Sequence, residues 1–136
     1  HAAAIADEDS FFGRMTPGCI YIGTDPTERW LRDELKEWSK EFFNRDTAWA
    51  FKPISRNITI GPGGQIAWFD ELLDTWMGTC RSTGIMEQID GEWMIIYYHL
   101  SVALPNDKLD EYRILIGKKK AKAKAKAEAK FRYHTI

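Results

Sequence analysis

Three residue types able to move a proton or hold a charge fall within one apolar region: Asp70, Arg81 and His99. Asp70 alternates with Trp68 in the run AWFDELL, so the two share one face of any strand formed there. His99 has the parity of Trp93, Tyr97 and Ser101 in EWMIIYYHLSV, and Arg81 lies on the segment between the two runs. If these faces coincide, a carboxylate, a guanidinium and an imidazole converge in an aromatic cavity, with Tyr21 adding a phenol. An apolar surround of this kind suits acid–base work on a small hydrophobic substrate. This spacing makes Asp70, His99 and Arg81 the catalytic candidates. Tyr21, Trp68, Glu71, Tyr97 and Ser101 are the ligand-binding candidates. The alternative gives the polar groups structural duties. Arg81 would pair with Asp70 or Glu71 to hold the register, and His99 would bond Tyr97 or a backbone carbonyl.

Other chemistries find no support. His1, His99 and His134 have no metal-ligand spacing and no Cys/His cluster exists, so neither a metal nor a cofactor is expected. Gly61-Pro62-Gly63-Gly64 is followed by no Lys-Ser/Thr pair, which makes it a turn rather than a phosphate loop. Cys19 and Cys80 both fall in expected strands and read as two reduced, buried thiols.

The elements that must position these residues follow from periodicity. The stretch 65–106 reads as three long strands. Asp90-Gly91 forms a hairpin between the last two, because both central positions of the favoured turn need positive φ. The last strand, Glu92 to Leu104, is apolar on both faces by strict alternation, with Met94, Ile96, Tyr98, Leu100 and Val102 opposite the His99 set. Such a strand needs a cover on both sides. Upstream, Thr16-Pro17-Gly18 breaks an N-terminal helix and Cys19 to Thr24 is a short strand. Asp25-Pro26-Thr27-Glu28 has the cap, first-turn proline and third-position acid of a helix start. The helix after it carries Leu31, Leu35, Trp38 and Phe42 as its core stripe and stops at Asn44-Arg45-Asp46. Trp49 to Ile60 is a strand whose Pro53 requires an edge or a bulge. His1 to Ala6 has the pattern of a helix whose beginning is missing. Asp7 to Met15 restarts it, with Asp7 or Asp9 as cap and Phe11, Phe12 and Met15 as anchors.

The run AWFDE, then CRSTG, then the GEW…YHLS…PN segment resembles the SnoaL-like domains of the nuclear-transport-factor-2-like superfamily. The segments IGTDPTERW and FKPISRNI fit the same order, so the resemblance covers roughly residues 7–107. It implies an α+β fold, a cone-shaped curved mixed or antiparallel sheet wrapped around N-terminal helices, like a cystatin-like roll, with a pocket and a homodimer. Steroid isomerases of that superfamily place an Asp base after the first strand. Here Tyr21-Ile22-Gly23-Thr24 holds no acid before Asp25. A His–Asp pair with tyrosines, as in its dehydratases, could be mimicked by His99 and Asp70.

Charge divides the chain into two parts. From Lys118 onward there are eight basic residues against one acidic, a net +7; the preceding 117 residues carry 11 basic and 19 acidic, a net −8. The expected layout is a SnoaL-like domain over 1–107 with a shortened first helix, then a helical or disordered Lys/Ala-rich tail over 108–136. An acidic body argues against nucleic acid as ligand except through the tail. No run of 18 apolar residues spans a membrane and no secretory signal is visible, so a cytoplasmic site is expected; the start at His1 suggests a processed or incomplete N-terminus. The function expected is binding of a small hydrophobic molecule in an aromatic pocket by a homodimer that buries Met94, Ile96, Tyr98 and Leu100. Two alternatives stay open: a cofactor-free isomerase, dehydratase or cyclase, and a protein-interaction or targeting module.

Overall fold

The structure is a computed structural model and describes residues 12–43 and 51–118. The expectations for Asp7, Asp9, Phe11, the helix end at 44–46, Trp49 and the tail from 119 onward lie outside those residues, as does the side chain of Phe42.

Six strands form one mixed sheet: β1 (Met15–Ile22), β2 (Arg29–Leu31), β3 (Lys52–Ile60), β4 (Ile66–Thr75), β5 (Gly78–Ile89) and β6 (Glu92–Val102). Their order across the sheet is β2-β1-β6-β5-β4-β3, and the β1–β6 pairing is parallel while the rest are antiparallel. Helix α1 (Arg32–Phe43) follows β2 and packs on β1 and β2. The chain separates into two compact units after Ala103; the second holds a 3-10 turn (Asn106–Lys108) and the short helix α2 (Leu109–Leu115).

Two expectations near the N-terminus change. Asp25 to Glu28 does not open the helix. The Asp25 N–H donates to Glu28 Oε1 at 2.9 Å and the Thr27 N–H to Asp25 Oδ2 at 2.9 Å, so the capping groups close the turn between β1 and β2 instead. The short strand β2 intervenes, and the helix starts only at Arg32. Its own cap comes from Glu34, whose Oε1 accepts the Leu31 N–H at 3.1 Å. Thr16-Pro17-Gly18, expected to be a break, lies inside β1. Proline is tolerated there because β2 pairs only with Ile20 to Ile22, leaving the first half of β1 open on that side.

The remaining turn chemistry is as its residues dictate. Asp90 (φ 50) and Gly91 (φ 80) supply the two positive dihedrals of the β5–β6 hairpin. Pro53 sits on β3, an edge strand, beside a register shift between Pro53 and Ser55.

The strict alternation expected along β6 fails at one place. Ile85 of β5 pairs with Tyr97, but the next residue, Met86, pairs with Ile95, so Ile96 is left over as a bulge. The bulge carries Trp93 and Ile95 onto the face of Tyr98 and Leu100. Met94 and Tyr97 face the other way.

Burial tells the faces apart. Ala67, Phe69, Leu73 and Thr75 of β4, Cys80 and Ser82 of β5, Leu100 of β6 and Cys19 of β1 are all buried, and they share one face, which is called the inner face below. Phe12, Met15, Cys19 and Leu35 form one core cluster under α1, with Tyr21, Trp30 and Ile95 against it. Leu73, Cys80 and Leu100 form a second, with Phe51, Met77 and Tyr98. The two cysteines are free thiols in separate clusters, and burial pushes the Cys19 thiol up to about 11 against the opposing pull of Arg32. On α1 the buried pair is Leu35 and Ser39. Leu31 and Trp38, expected in the stripe, are 46% exposed.

Candidate functional site

The inner face gathers aromatic rings along the parallel β1–β6 pair. Tyr21 is registered against Tyr98, and their rings stack with centroids 5.1 Å apart at 20°. Trp30, opposite Tyr21 on β2, stands 6.3 Å from it and stacks on Trp38 of α1 at 4.7 Å. Phe69 completes the wall 6.3 Å from Tyr98. That approach depends on Gly84, which lies between Phe69 and Tyr98 in the register. A Cβ there would run into the Phe69 ring well inside contact distance and meet Tyr97 O at 3.1 Å.

A line of polar groups crosses the same face. Arg56, Glu71 and Ser82 are successive cross-strand partners on β3, β4 and β5. The Arg56 Nε donates to Glu71 Oε1 at 2.9 Å; the Arg56 side chain is 50% exposed and that of Glu71 only 12%. Next to them Ser82 is fully buried, and its Oγ makes no hydrogen bond of good geometry, although it lies near enough to the Tyr98 hydroxyl to act on its ionisation. The Tyr98 hydroxyl is close enough to Ser82 for the serine to favour its ionised form, yet burial dominates and pushes the phenol up to about 12, with Glu71 pushing the same way. Burial likewise drives Tyr21 far above the ordinary tyrosine range, with the charges on Tyr98 and Glu28 adding to it. Both phenols are therefore neutral at physiological pH. They can donate a hydrogen bond but cannot act as bases.

The residues singled out from the sequence divide between the two faces. Tyr21 and Glu71 lie on the inner face. Asp70, Arg81, His99, Trp68, Tyr97 and Ser101 do share a face, but it is the outer one. Asp70, Thr83 and His99 form one row across β4, β5 and β6, which separates carboxylate and imidazole by two strand spacings, about 10 Å. Trp68, Ile85 and Tyr97 form the next row on one side, and Leu72, Arg81 and Ser101 the next on the other. A single cavity holding Asp70, Arg81, His99 and Tyr21 is thus replaced by two surfaces. The parity of β1 decides it, because Tyr21 pairs with Tyr98 and Ile22 with His99. The expected pairing of Arg81 with an acid is also different. Glu71 is held by Arg56, and Asp70 Oδ1 accepts from Asn57 Nδ2 at 3.1 Å, both partners coming from the edge strand β3.

Sequence reasoning missed Tyr98, Ser82 and Arg56. The signal for the first two was the parity of β4. Glu71, not Asp70, alternates with Phe69 and Leu73, and its partners across the sheet inherit that face. Among the described residues no group of three His, Cys, Asp or Glu is placed to hold a metal, and no helix is long and apolar enough to cross a membrane.

The family model for the SnoaL-like domain matches residues 1–105. The chain belongs to the SnoaL-like family. Solved structures agree on the fold. An NTF2-like protein of unknown function from Pseudomonas putida KT2440 is 13% identical, with 79% of this chain and 80% of that one covered at a TM-score of 0.64. A candidate ketosteroid isomerase from Parabacteroides distasonis ATCC 8503 is 21% identical over 76% and 81%, TM-score 0.62. The association domain of C. elegans CaMKII is 12% identical over 74% and 84%, TM-score 0.59. No curated protein matches the chain. The SnoaL-like domain has the α+β fold expected of it, an open six-stranded mixed sheet with helices, and these identities speak for the fold alone.

Proposed function

We propose that the domain binds a small hydrophobic molecule bearing one carbonyl or hydroxyl group, seated on the inner face. The observation that carries this reading is the Ser82 hydroxyl: buried and without a well-placed hydrogen-bond partner, beside a neutral phenol, inside a wall of Tyr21, Tyr98, Trp30 and Phe69. An orphaned polar group in an aromatic lining is the feature of a site that is apolar overall with a few orienting groups. A catalytic version would need a base on this face, and the acid there, Glu71, is bonded to Arg56.

The test is a panel of fused-ring alcohols and ketones with their parent hydrocarbons, followed by thermal shift and tryptophan fluorescence. Oxygenated compounds should bind better than hydrocarbons of equal size. Ser82→Ala should erase about 1 kcal/mol of that difference. Equal binding of both classes, unchanged by Ser82→Ala, would refute the assignment.

The outer face supports a second copy of the chain. Trp68, Ile66 and Ile85 are 46%, 37% and 38% exposed there, beside half-buried Ile20, Ile22 and Tyr97. A contiguous apolar patch is the kind of surface that marks an interaction site. A structural neighbour named as an association domain is in keeping with this. The dimer surface so proposed includes Tyr97 and His99 in place of Tyr98 and Leu100, which face inward. Sedimentation showing a monomer at micromolar concentration would sink it.

A further inference from the structure

Helix α2 is amphipathic in the wrong sense for a helix that serves a core. None of its residues is buried. Its half-buried positions are Asp110 and Arg113, whereas Leu109, Tyr112, Ile114, Leu115 and, just past its end, Ile116 are exposed, Leu115 to 85%. At about 3.6 residues per turn, Leu109, Tyr112, Leu115 and Ile116 fall within an arc of roughly 120°, opposite the two half-buried residues. Seven residues are too few for backbone hydrogen bonds alone to hold a helix in water. What ordinarily holds so short a helix is an apolar face laid on something. Its end is sharply defined. The Gly117 N–H donates to Ile114 O at 3.0 Å and the Lys118 N–H to Arg113 O at 2.7 Å, with Gly117 at φ 81, a glycine stop that satisfies the last carbonyls.

The most basic stretch of the chain begins at that stop. From Lys118 to Ile136 seven lysines and one arginine stand against Glu128, a net +7, and lysine alternates with alanine from Lys120 to Ala127. We propose that the segment from Leu109 onward binds an anionic lipid surface, the exposed arc of α2 entering the headgroup boundary and the lysines lying over the charged headgroups. Contact is with the surface and not across it, since no helix among the described residues is long and apolar enough to cross a membrane. Apolar burial and cationic attraction act together at such a surface, and this segment supplies both side by side.

The side-chain chemistry separates a lipid surface from other polyanions. Arginine reads a phosphate or carboxylate through two parallel hydrogen bonds, while lysine is a point charge on a flexible stem. Seven of the eight cations here are lysine, which suits a diffuse negative surface better than a shaped site. The apolar arc of α2 has no use along a nucleic-acid backbone, where phosphate contacts supply the affinity. The residues before Lys118 carry a net −8 and are repelled by the same surface, which confines contact to this segment. The hydrophobic ligand proposed for the inner face concentrates at a membrane too, but the lipid reading stands without it.

The test is sedimentation of the full chain with vesicles of phosphatidylcholine alone or mixed in equal parts with phosphatidylserine. The protein should sediment with the mixed vesicles only, and rising salt should release it. Each lysine near an anionic leaflet is worth about fivefold in binding, so Lys119→Gln, Lys120→Gln, Lys122→Gln and Lys124→Gln together should weaken it about hundredfold or more. Leu115→Ser should weaken it about tenfold by removing apolar area from the arc, and Ile114→Ser, which lies off the arc, should do less. Because α2 buries no residue, each variant should melt with wild type, which shows that a loss of binding is not unfolding. No sedimentation with the mixed vesicles, or binding that Leu115→Ser leaves unchanged, would overturn the proposal. So would tighter binding to duplex DNA than to the vesicles at the same salt, which would assign the lysines to nucleic acid.

Discussion

Replacing Ser82 with alanine takes one hydroxyl out of the middle of β5, where the side chain is fully buried and its oxygen has no well-placed hydrogen-bond partner. An unsatisfied buried hydroxyl costs about 1–3 kcal/mol, because its hydration is lost and nothing replaces it. Removing the oxygen leaves a void smaller than a methyl group, which gives back less than about 1 kcal/mol. The net is a ligand-free protein more stable by about 1 kcal/mol, or roughly 3–6 °C in melting temperature for a chain of this size. Affinity should move the opposite way. A ligand oxygen that bonds Ser82 loses about 1 kcal/mol, close to a fivefold weakening. Differential scanning calorimetry with and without a fused-ring ketone reads both quantities on one sample. Stabilisation of the free form together with a smaller ligand-induced shift is the signature of a group kept for binding. A free form that melts several degrees lower would refute the reasoning, since it would mean that the hydroxyl is satisfied by a trapped water and serves the fold.

Three further predictions follow from the same packing. Gly84→Ala sets a methyl group against the Phe69 ring and the Tyr97 carbonyl, so it should destabilise the domain by about 1–3 kcal/mol in urea unfolding; a neutral result would show that Phe69 can swing away. The Tyr98 phenol, raised by burial to about 12 from an unfolded value near 10, favours the folded state while neutral. Its contribution is complete below about pH 10 and lost as the pH climbs toward 12, so alkaline titration by ultraviolet absorbance should show Tyr98 ionising late, and Tyr98→Phe should flatten that part of the stability profile. Deleting Lys118 to Ile136 should leave the melting temperature of the SnoaL-like domain unchanged, whereas a large drop would show that Phe131 or Tyr133 packs onto it.

The fold was legible because its turns are written in residues with few other uses. Asp90-Gly91 demanded a hairpin, and Pro53 demanded an edge. Long alternating runs then left little freedom for β4, β5 and β6. The helix start was legible in kind but not in place. Asp25, Thr27 and Glu28 make the hydrogen bonds of a cap, but nothing local says whether the chain beyond Glu28 continues as helix or first pairs three residues with β1. Tertiary pairing of Trp30 with Tyr21 decides that, and it is invisible to a local pattern.

The two faces were harder to tell apart for a sharper reason. Alternation assigns every second residue to one face only while the register is unbroken, and one unpaired residue inverts the assignment from there on. Ile96 is that residue on β6, and it moves Trp93 and Ile95 off the face of Tyr97, His99 and Ser101. Tyr97 and Tyr98 are chemically alike neighbours, so the sequence offers no preference for which of them turns inward, and pairing with Gly84 and Tyr21 decides it. The β4 pattern was the better guide, because Glu71 sits between Phe69 and Leu73, and a buried strand face cannot hold those two without holding the acid as well. Following Glu71 across the register leads to Ser82 and Arg56, and from Gly84 to Tyr98. Following Asp70 leads to Thr83 and His99 and onto the outer face. Two adjacent acids on one strand thus go to opposite faces of the sheet: Glu71 joins Arg56 and Ser82 on the inner face, and Asp70 joins Asn57 and the His99 row on the outer one.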